Sequence, residues 1–318
     1  MKLHHIRDVL AVAERGSLRA AAREIGIAQP AITRSLQELE RELGVPLFER
    51  DSRGVSLTAM GEAFIPRARA IRAELIRAKD EIDQLRGEKH GHVTVALSMV
   101  PHIAMLPFVL RPFRLRYPDV RLDIIDAVFT TVESRMNDST IDCYVGPLPE
   151  LLSDRFVVEK LFDNTRVVVG RKGHPLSRAR SLRELVNAEW ISNSITAKAE
   201  HEFSPIFTRY RLPPPKLVMQ SHSSITVISA IMSSDLLTML PAQWDEYSPL
   251  RKDIQKIDVV EQLPASPICL IQRTGLPLTP AAEYFCDLMR RSGEHLGRKL
   301  ERPVQGVTLR RTVSKKAN

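Results

Sequence analysis

SLRAAAREIGIAQPAITRSLQELEREL (17–43) is the stretch on which the reading of this chain turns. Leu18, Ala21, Ala22 and Ile25 fall at i, i+3, i+4 and i+7, the spacing of one helix face. Gly26 breaks that pattern, and a second begins with Ile32, Leu36, Leu39 and Leu43 on its apolar stripe. The opposite stripe carries Pro30, Thr33, Arg34 and Gln37, with Gln29 at its start. Two short helices around a tight turn, the second with a hydrogen-bonding outer face, suit a helix-turn-helix that lays this face in a DNA major groove. Any helical bundle contains amphipathic pairs of this kind, so the flanking sequence has to decide.

Upstream, Leu3, Ile6, Val9, Leu10 and Ala13 form the inward face of a first helix that closes at Arg15-Gly16, and Ser17 suits the N-cap of the next. Downstream, Gly44-Val45-Pro46 is a stop, and Leu47–Arg50 and Val55–Leu57 read as short strands around the turn-forming run 51–54. This is a wing, carrying Arg50 and Arg53 toward phosphate; a solvated hairpin with two incidental arginines has the same pattern. Thr58 then caps a long helix in which Phe64, Ala68, Ile71, Leu75, Ala78, Ile82 and Leu85 alternate spacings of four and three. Such a seam predicts a coiled coil with a partner helix, the alternative being a core helix of its own domain. Pro66 is expected to kink or loosen its first turns.

Composition narrows the classes. With 318 residues, 43% of them hydrophobic, the chain can form two or three cored domains. The net charge of +8 suggests nucleic acid, but residues 1–90 hold sixteen Lys and Arg against fourteen Asp and Glu. The excess lies in 166–183 and after Pro303, so local pattern has to carry the DNA argument. Cys143, Cys269 and Cys286 are scattered without metal spacing, which predicts reduced, mostly buried thiols. His4-His5 and His90-x-His92 are pairs without a third ligand at a convincing spacing, so no metal and no cofactor is expected. No signal segment precedes the first helix and no apolar run approaches the roughly 20 residues of a membrane span, which predicts a cytoplasmic protein. The nucleotide-loop, nucleophile-elbow and zincin motifs are absent, so an enzyme is not expected.

After 87–91, the best domain boundary, strands and helices alternate: strands at 93–97, 120–126, 142–145, 157–162, 166–169, 190–191, 216–220, 236–240 and 268–272, with helices between them and a final one from Pro280. This length suits two small lobes of similar size.

Taken together, Ser17-Leu18-Arg19-Ala20-Ala21-Ala22, Gln29-Pro30-Ala31-Ile32-Thr33, Leu39-Glu40, Leu43-Gly44-Val45-Pro46-Leu47-Phe48-Glu49-Arg50 and Leu57-Thr58 with Gly61 resemble the DNA-binding signature of LysR-type transcriptional regulators. Tyr117-Pro118-Asp119-Val120, Ile141-Asp142, Gly173-His174-Pro175-Leu176 and Leu240-Pro241 resemble that family's effector domain. The resemblance implies an α/β protein overall: an N-terminal all-α winged helix-turn-helix, a long linker helix, and a two-lobed α/β periplasmic-binding-protein-like effector domain. The expected parts are 1–58, 59–90 and 91–302, with a disordered basic tail at 303–318. It also implies a homodimer or homotetramer on promoter DNA, switched by a small-molecule co-inducer and able to contact RNA polymerase. Two departures stand out. Ala28 replaces the family's Ser or Thr cap before Gln29, and Ser233-Ser234-Asp235-Leu236-Leu237 replaces a Gly-containing segment. The latter is similar to a subgroup linked to aromatic-acid catabolism.

Gln29 and Arg34 can bond bases bidentately, Gln to adenine and Arg to guanine. Thr33, Pro30 and Gln37 share that face, and Ser17, Arg50 and Arg53 suit phosphate. In the effector domain, hydroxyls just past strand ends are the candidates: Ser98 (with Met99 and Val100), Thr130, Thr131, Ser223 and Ser224. Ile195, Thr196 and His222 would line the other wall. The resemblance places inducer contacts at Ser98 and Thr131. These hydroxyls, with no fixed Arg or Lys among those strand ends, suit a small carboxylated ligand at helix N-termini; each is also a plausible helix cap.

Overall fold

In the computed structural model, which describes residues 1–51, 54–192, 200–221, 223–244 and 252–300, three helices open the chain: α1 (Leu3–Arg15), α2 (Leu18–Ile25) and α3 (Gln29–Leu43). Their apolar stripes meet in one core of Ile6, Val9, Leu10, Ala21, Ala22, Ile32, Leu36 and Leu39. Gly26 turns α2 toward α3 with φ of 72°, a left-handed conformation that Gly adopts without steric cost. Leu3 and Leu43, placed on the inward stripes by periodicity, are exposed, because each stands at a helix end beyond the reach of its neighbours.

The wing is β1 (Phe48–Asp51) paired antiparallel with β2 (Gly54–Leu57). It is fixed to the helices by polar bonds. Glu40 on α3 accepts the N–H groups of Leu47 and Phe48 at 2.7 and 3.2 Å, and Val55 N–H donates to Gly16 O at 3.1 Å. Thr58 caps α4 (Ala59–Leu85), its hydroxyl accepting from Gly61 N–H at 3.0 Å. A Cβ at Gly61 would stand 2.1 Å from Leu47 O, so only glycine lets α4 pass this close. The helix runs through Pro66 unbroken.

The expected coiled-coil seam divides in two. Ala68 is fully buried in the core of the head, with Phe64 and Ile71 packed against it. Leu75, Ile82 and Leu85 are 45%, 57% and 69% exposed, and Ala78 is exposed as well. Only the second half of the seam is left for a partner, because the short head needs the first half to close its own core.

The C-terminal half of α4 is held by the next domain through polar groups. Arg77 Nε donates to Asp142 Oδ1 at 2.9 Å, and the other carboxylate oxygen accepts Thr94 N–H at 2.7 Å. Asp80 accepts the backbone N–H of His92 at 2.9 Å. Gln84 donates to His90 O and accepts Ala281 N–H, at 3.1 and 2.9 Å. The boundary at 87–91 is therefore bridged by hydrogen bonds.

Beyond it, β3 (His90–Leu97) lies between and parallel to β4 (Asp119–Asp126) and β5 (Cys143–Pro147). A π-helical turn (Pro101–Met105) and α5 (Leu106–Arg116) make the first crossover, and α6 (Phe129–Asn137) the second. The long strand β6 (Phe156–Arg171) takes the chain into the second lobe. Up to Thr165 it pairs with β11 (Pro264–Arg273); from Arg166 it pairs with β9 (Thr238–Pro241) and then β10 (Ile254–Ile257). The two strands expected at 157–162 and 166–169 are thus one. Asp163-Asn164-Thr165 looks like a turn, yet it continues as strand because a register irregularity in β11, between Ala265 and Ile268, absorbs the bend. The second lobe adds β7 (Glu189–Ser192) parallel to β8 (Lys216–Gln220), α7 (Glu200–Arg209) and α8 (Ser224–Ser233). The last helix, α9 (Pro280–Leu300), returns to the first lobe, where Phe285 meets Phe113 edge to face at 5.6 Å. All three cysteines are buried free thiols.

Arg77→Ala would leave the Asp142 carboxylate buried without its cation, although burial already pushes that carboxyl above its ordinary pKa. Removing one partner of such a pair costs about 3 kcal/mol or more. A loss of that size is expected in urea unfolding of the full chain, with Arg77→Lys recovering part of it.

Candidate DNA-reading surface and inter-lobe cleft

Gln29, Pro30, Thr33, Arg34 and Gln37 line one recess on the outer face of α3. Pro30, Thr33, Arg34 and Gln37 fall at i, i+3, i+4 and i+7, one helix face, and Thr33 Oγ1 donates back to Gln29 O at 3.0 Å. Arg34 is exposed with no ion pair among the described residues, whereas Arg15 is held by Glu24 through two bonds of 2.7 Å. A cation kept free of carboxylates on a helix face is available for an external acceptor. As the sequence predicts, Ala28 gives α3 no side-chain cap. Two features offset this: Pro30 has no N–H to satisfy, and Ala31 N–H donates to Ala28 O at 2.9 Å.

Ser17 lies outside the residues lining that recess. Its hydroxyl accepts Ala20 N–H at 3.4 Å, so it serves α2 as a cap. The backbone of Arg50 pairs with Val55 in the wing, and Arg53 falls outside the described residues.

The second site is a cavity of about 160 Å³ between the lobes. It lies at the ends of β3, β4 and β5, where a sheet of this type opens a crevice. Ser98, Met99 and Val100 form one wall and Ser224 at the start of α8 faces it. Ser98 Oγ is buried beside the Tyr144 phenol, while its carbonyl is fixed by His102 Nδ1 at 3.0 Å. The neighbouring Tyr144 phenol, raised in pKa by burial, gives its bond to Pro147 O at 3.5 Å.

Other expected residues are elsewhere. Thr131 Oγ1 bonds Val128 O at 2.8 Å in the first turn of α6, and Ser223 caps α8 by accepting Thr226 N–H at 3.4 Å. Thr130 faces a separate recess against α4, with Pro66 and Arg67. For these three the helix-cap or helix-surface reading describes the structure, because they fall about one turn past the strand end, at the start of the next helix. Ile195, Thr196 and His222 lie outside the described residues.

The structure also adds residues that were not expected. Asn164 and Arg166, on β6 where it changes lobes, line the cavity with Asp126 and Ser266. The strand ends that carry the hydroxyls hold no arginine or lysine, as expected for them; the arginine of this cavity comes from within β6 instead. The guanidinium of Arg166 lies 5.9 Å from the Phe203 ring centroid, and Asn164 Oδ1 is buried without a partner. No spacing rule marks these residues, because they sit mid-strand and reach the site only through the crossing of the lobes.

A helix-turn-helix with a wing, joined by one long helix to a two-lobed domain with an inter-lobe cavity, defines a ligand-responsive DNA-binding regulator. The family models match accordingly: "Bacterial regulatory helix-turn-helix protein, lysR family" over residues 3–62 and "LysR substrate binding domain" over 86–294. The chain belongs to the LysR family of transcriptional regulators. It is 25% identical over 308 residues to the regulator GbpR of Azospirillum brasilense, covering 95% of this chain and 90% of that one. It is 32% identical over 241 residues to the Hca operon transcriptional activator HcaR of Escherichia coli K12, covering 75% and 77%. The crystal structure of CbnR, a LysR family regulator, superposes with a TM-score of 0.68 at 22% identity, covering 92% of this chain and 99% of that one. Full-length CbnR in complex with its target DNA gives the same TM-score at 23% identity and covers 92% and 100%. The chain is therefore a regulator and not an enzyme. No helix among the described residues is long and apolar enough to cross a membrane.

Arg34→Ala is expected to weaken binding to the chain's operator roughly ten- to a hundredfold, the worth of one bidentate base contact, and binding to random DNA much less. Paired gel shifts at one salt concentration check this. An equal loss on both DNAs would show that Arg34 reads only phosphate.

Proposed function

We propose that this protein is a promoter-bound switch. Its α3 helices, presented in duplicate by a dimer, read operator DNA, and a small carboxylated co-inducer between the lobes changes the output. Gln29 and Arg34 read bases, Pro30, Thr33 and Gln37 complete the reading face, and Ser17, Arg50 and Arg53 hold the backbone. The supporting observation is the recess that gathers the five α3 residues around an arginine with no carboxylate partner among the described residues.

The dimer forms through Leu75, Ala78, Ile82 and Leu85, the exposed half of the seam, and two dimers make the tetramer. The working parts are the head (1–58), the linker (59–90) and the effector domain (91–302), with a basic tail at 303–318 that lies outside the described residues. As a DNA-bound factor it acts in the cytoplasm and passes its signal to RNA polymerase.

The ligand reading rests on three groups. Arg166 offers a cation for a carboxylate, Ser98 Oγ offers a hydroxyl on the cavity wall, and the buried Asn164 Oδ1 requires a donor. A hydroxy acid supplies both a carboxylate and a donor. A cavity of 160 Å³ matches a single aromatic ring or a short chain, since a void of about 150 Å³ holds benzene.

Calorimetry of the full chain against a panel of aromatic and short organic acids is expected to give at least one saturable heat. Arg166→Met should abolish it, and Ser98→Ala should weaken it by about tenfold, one buried hydrogen bond. No heat and no thermal shift across the panel would refute the carboxylated ligand.

A further inference from the structure

The pair His4-His5 finds a third neighbour in space that the sequence separates by more than thirty positions. Glu38, on the recognition helix α3, stands with its carboxylate against α1, and one ligand atom from each of His4, His5 and Glu38 lies within 4.8 Å of the others. His5 is buried, 2% exposed, and its Nε2 has no hydrogen-bond partner. That nitrogen points at Glu38 Oε2 across 3.6 Å, too long for a hydrogen bond. It is close to the separation of two ligands on one tetrahedral metal, about 3.3 Å when each bond is about 2.0 Å. The His4 ring lies edge-on to His5, with centroids 4.4 Å apart, and is exposed, so it can turn its nitrogen inward.

We infer that His4, His5 and Glu38 form a binding site for a divalent transition metal of the zinc type, which ties α1 to the recognition helix. Two imidazoles and one carboxylate are a donor set that such ions take, with water in the fourth position. Binding through Nε2 leaves the imidazole proton of His5 on Nδ1. This costs the long 3.4 Å bond that Nδ1 accepts from Lys2 N–H, a weak contact to give up. Lys2 and the chain's amino terminus oppose a cation here, but the ammonium is paired with Glu42. The site lies wholly within the head, apart from the inter-lobe cavity, so it neither needs nor tests the ligand reading above.

Equilibrium dialysis of the full chain against Zn²⁺ at neutral pH is expected to show one retained equivalent. His4→Ala and Glu38→Gln change exposed or half-exposed side chains and should keep the metal-free melting temperature. Each should weaken uptake at least about tenfold, as expected for loss of a direct ligand. The double variant His90→Ala/His92→Ala should retain full uptake. Retention of the ion by both His4→Ala and Glu38→Gln would overturn the site, as would its loss with His90 and His92 or an absence of uptake in the parent chain.

Discussion

Arg77 and Gln84, two polar residues of the long helix α4, join it to the effector domain. Their bonds to Asp142, His90 and Ala281 attach the C-terminal turns of α4 to the effector domain. The N-terminal turns of the same helix supply Ile65 and Ala68 to the head. A rigid helix shared by two cores transmits a displacement in one domain to the other, whereas a loose linker would absorb it. The junction is made of part-buried and buried hydrogen bonds, which are directional and lose their worth when misaligned. A change in the lobes that moves Asp142 or the start of α9 therefore acts directly on α4.

The cleft is placed where such a change can begin. Strand β6 belongs to both lobes, and Arg166 is the first residue to pair with the second. A ligand that engages Arg166 and Ser98 together spans the crossing point and favours one angle between the lobes over others. The effect is limited to the difference in ligand affinity between those angles.

The head was legible in the sequence because its contacts are local. Residues three and four apart meet on one face, and the turn glycines and Thr58 announce the ends of the elements. Periodicity fails at the ends, as Leu3 and Leu43 show, since a stripe continues past the point where its neighbour stops. It also failed to divide the α4 seam, because a 3.5-residue repeat looks the same whether the apolar side faces the chain's own core or a partner. The least legible features depend on residues brought together across the fold: Arg166 and Asn164 at a lobe crossing, and Glu38 opposite His4 and His5. Of the hydroxyls that follow strand ends, Ser98 and Ser224 line the cavity. Thr131 and Ser223 bond within helix starts and Thr130 faces another recess, since a hydroxyl after a strand caps a helix as readily as it faces a ligand.

If α3 reads DNA in duplicate, the spacing of its contacts follows from the dimer. Hydroxyl-radical footprinting of the full chain on its own upstream DNA measures that spacing directly. Two protected tracts are expected, centred about 34 Å apart or a multiple of it, on one face of the duplex. A single isolated tract, or protection spread evenly along the fragment, would contradict a recognition helix delivered in pairs.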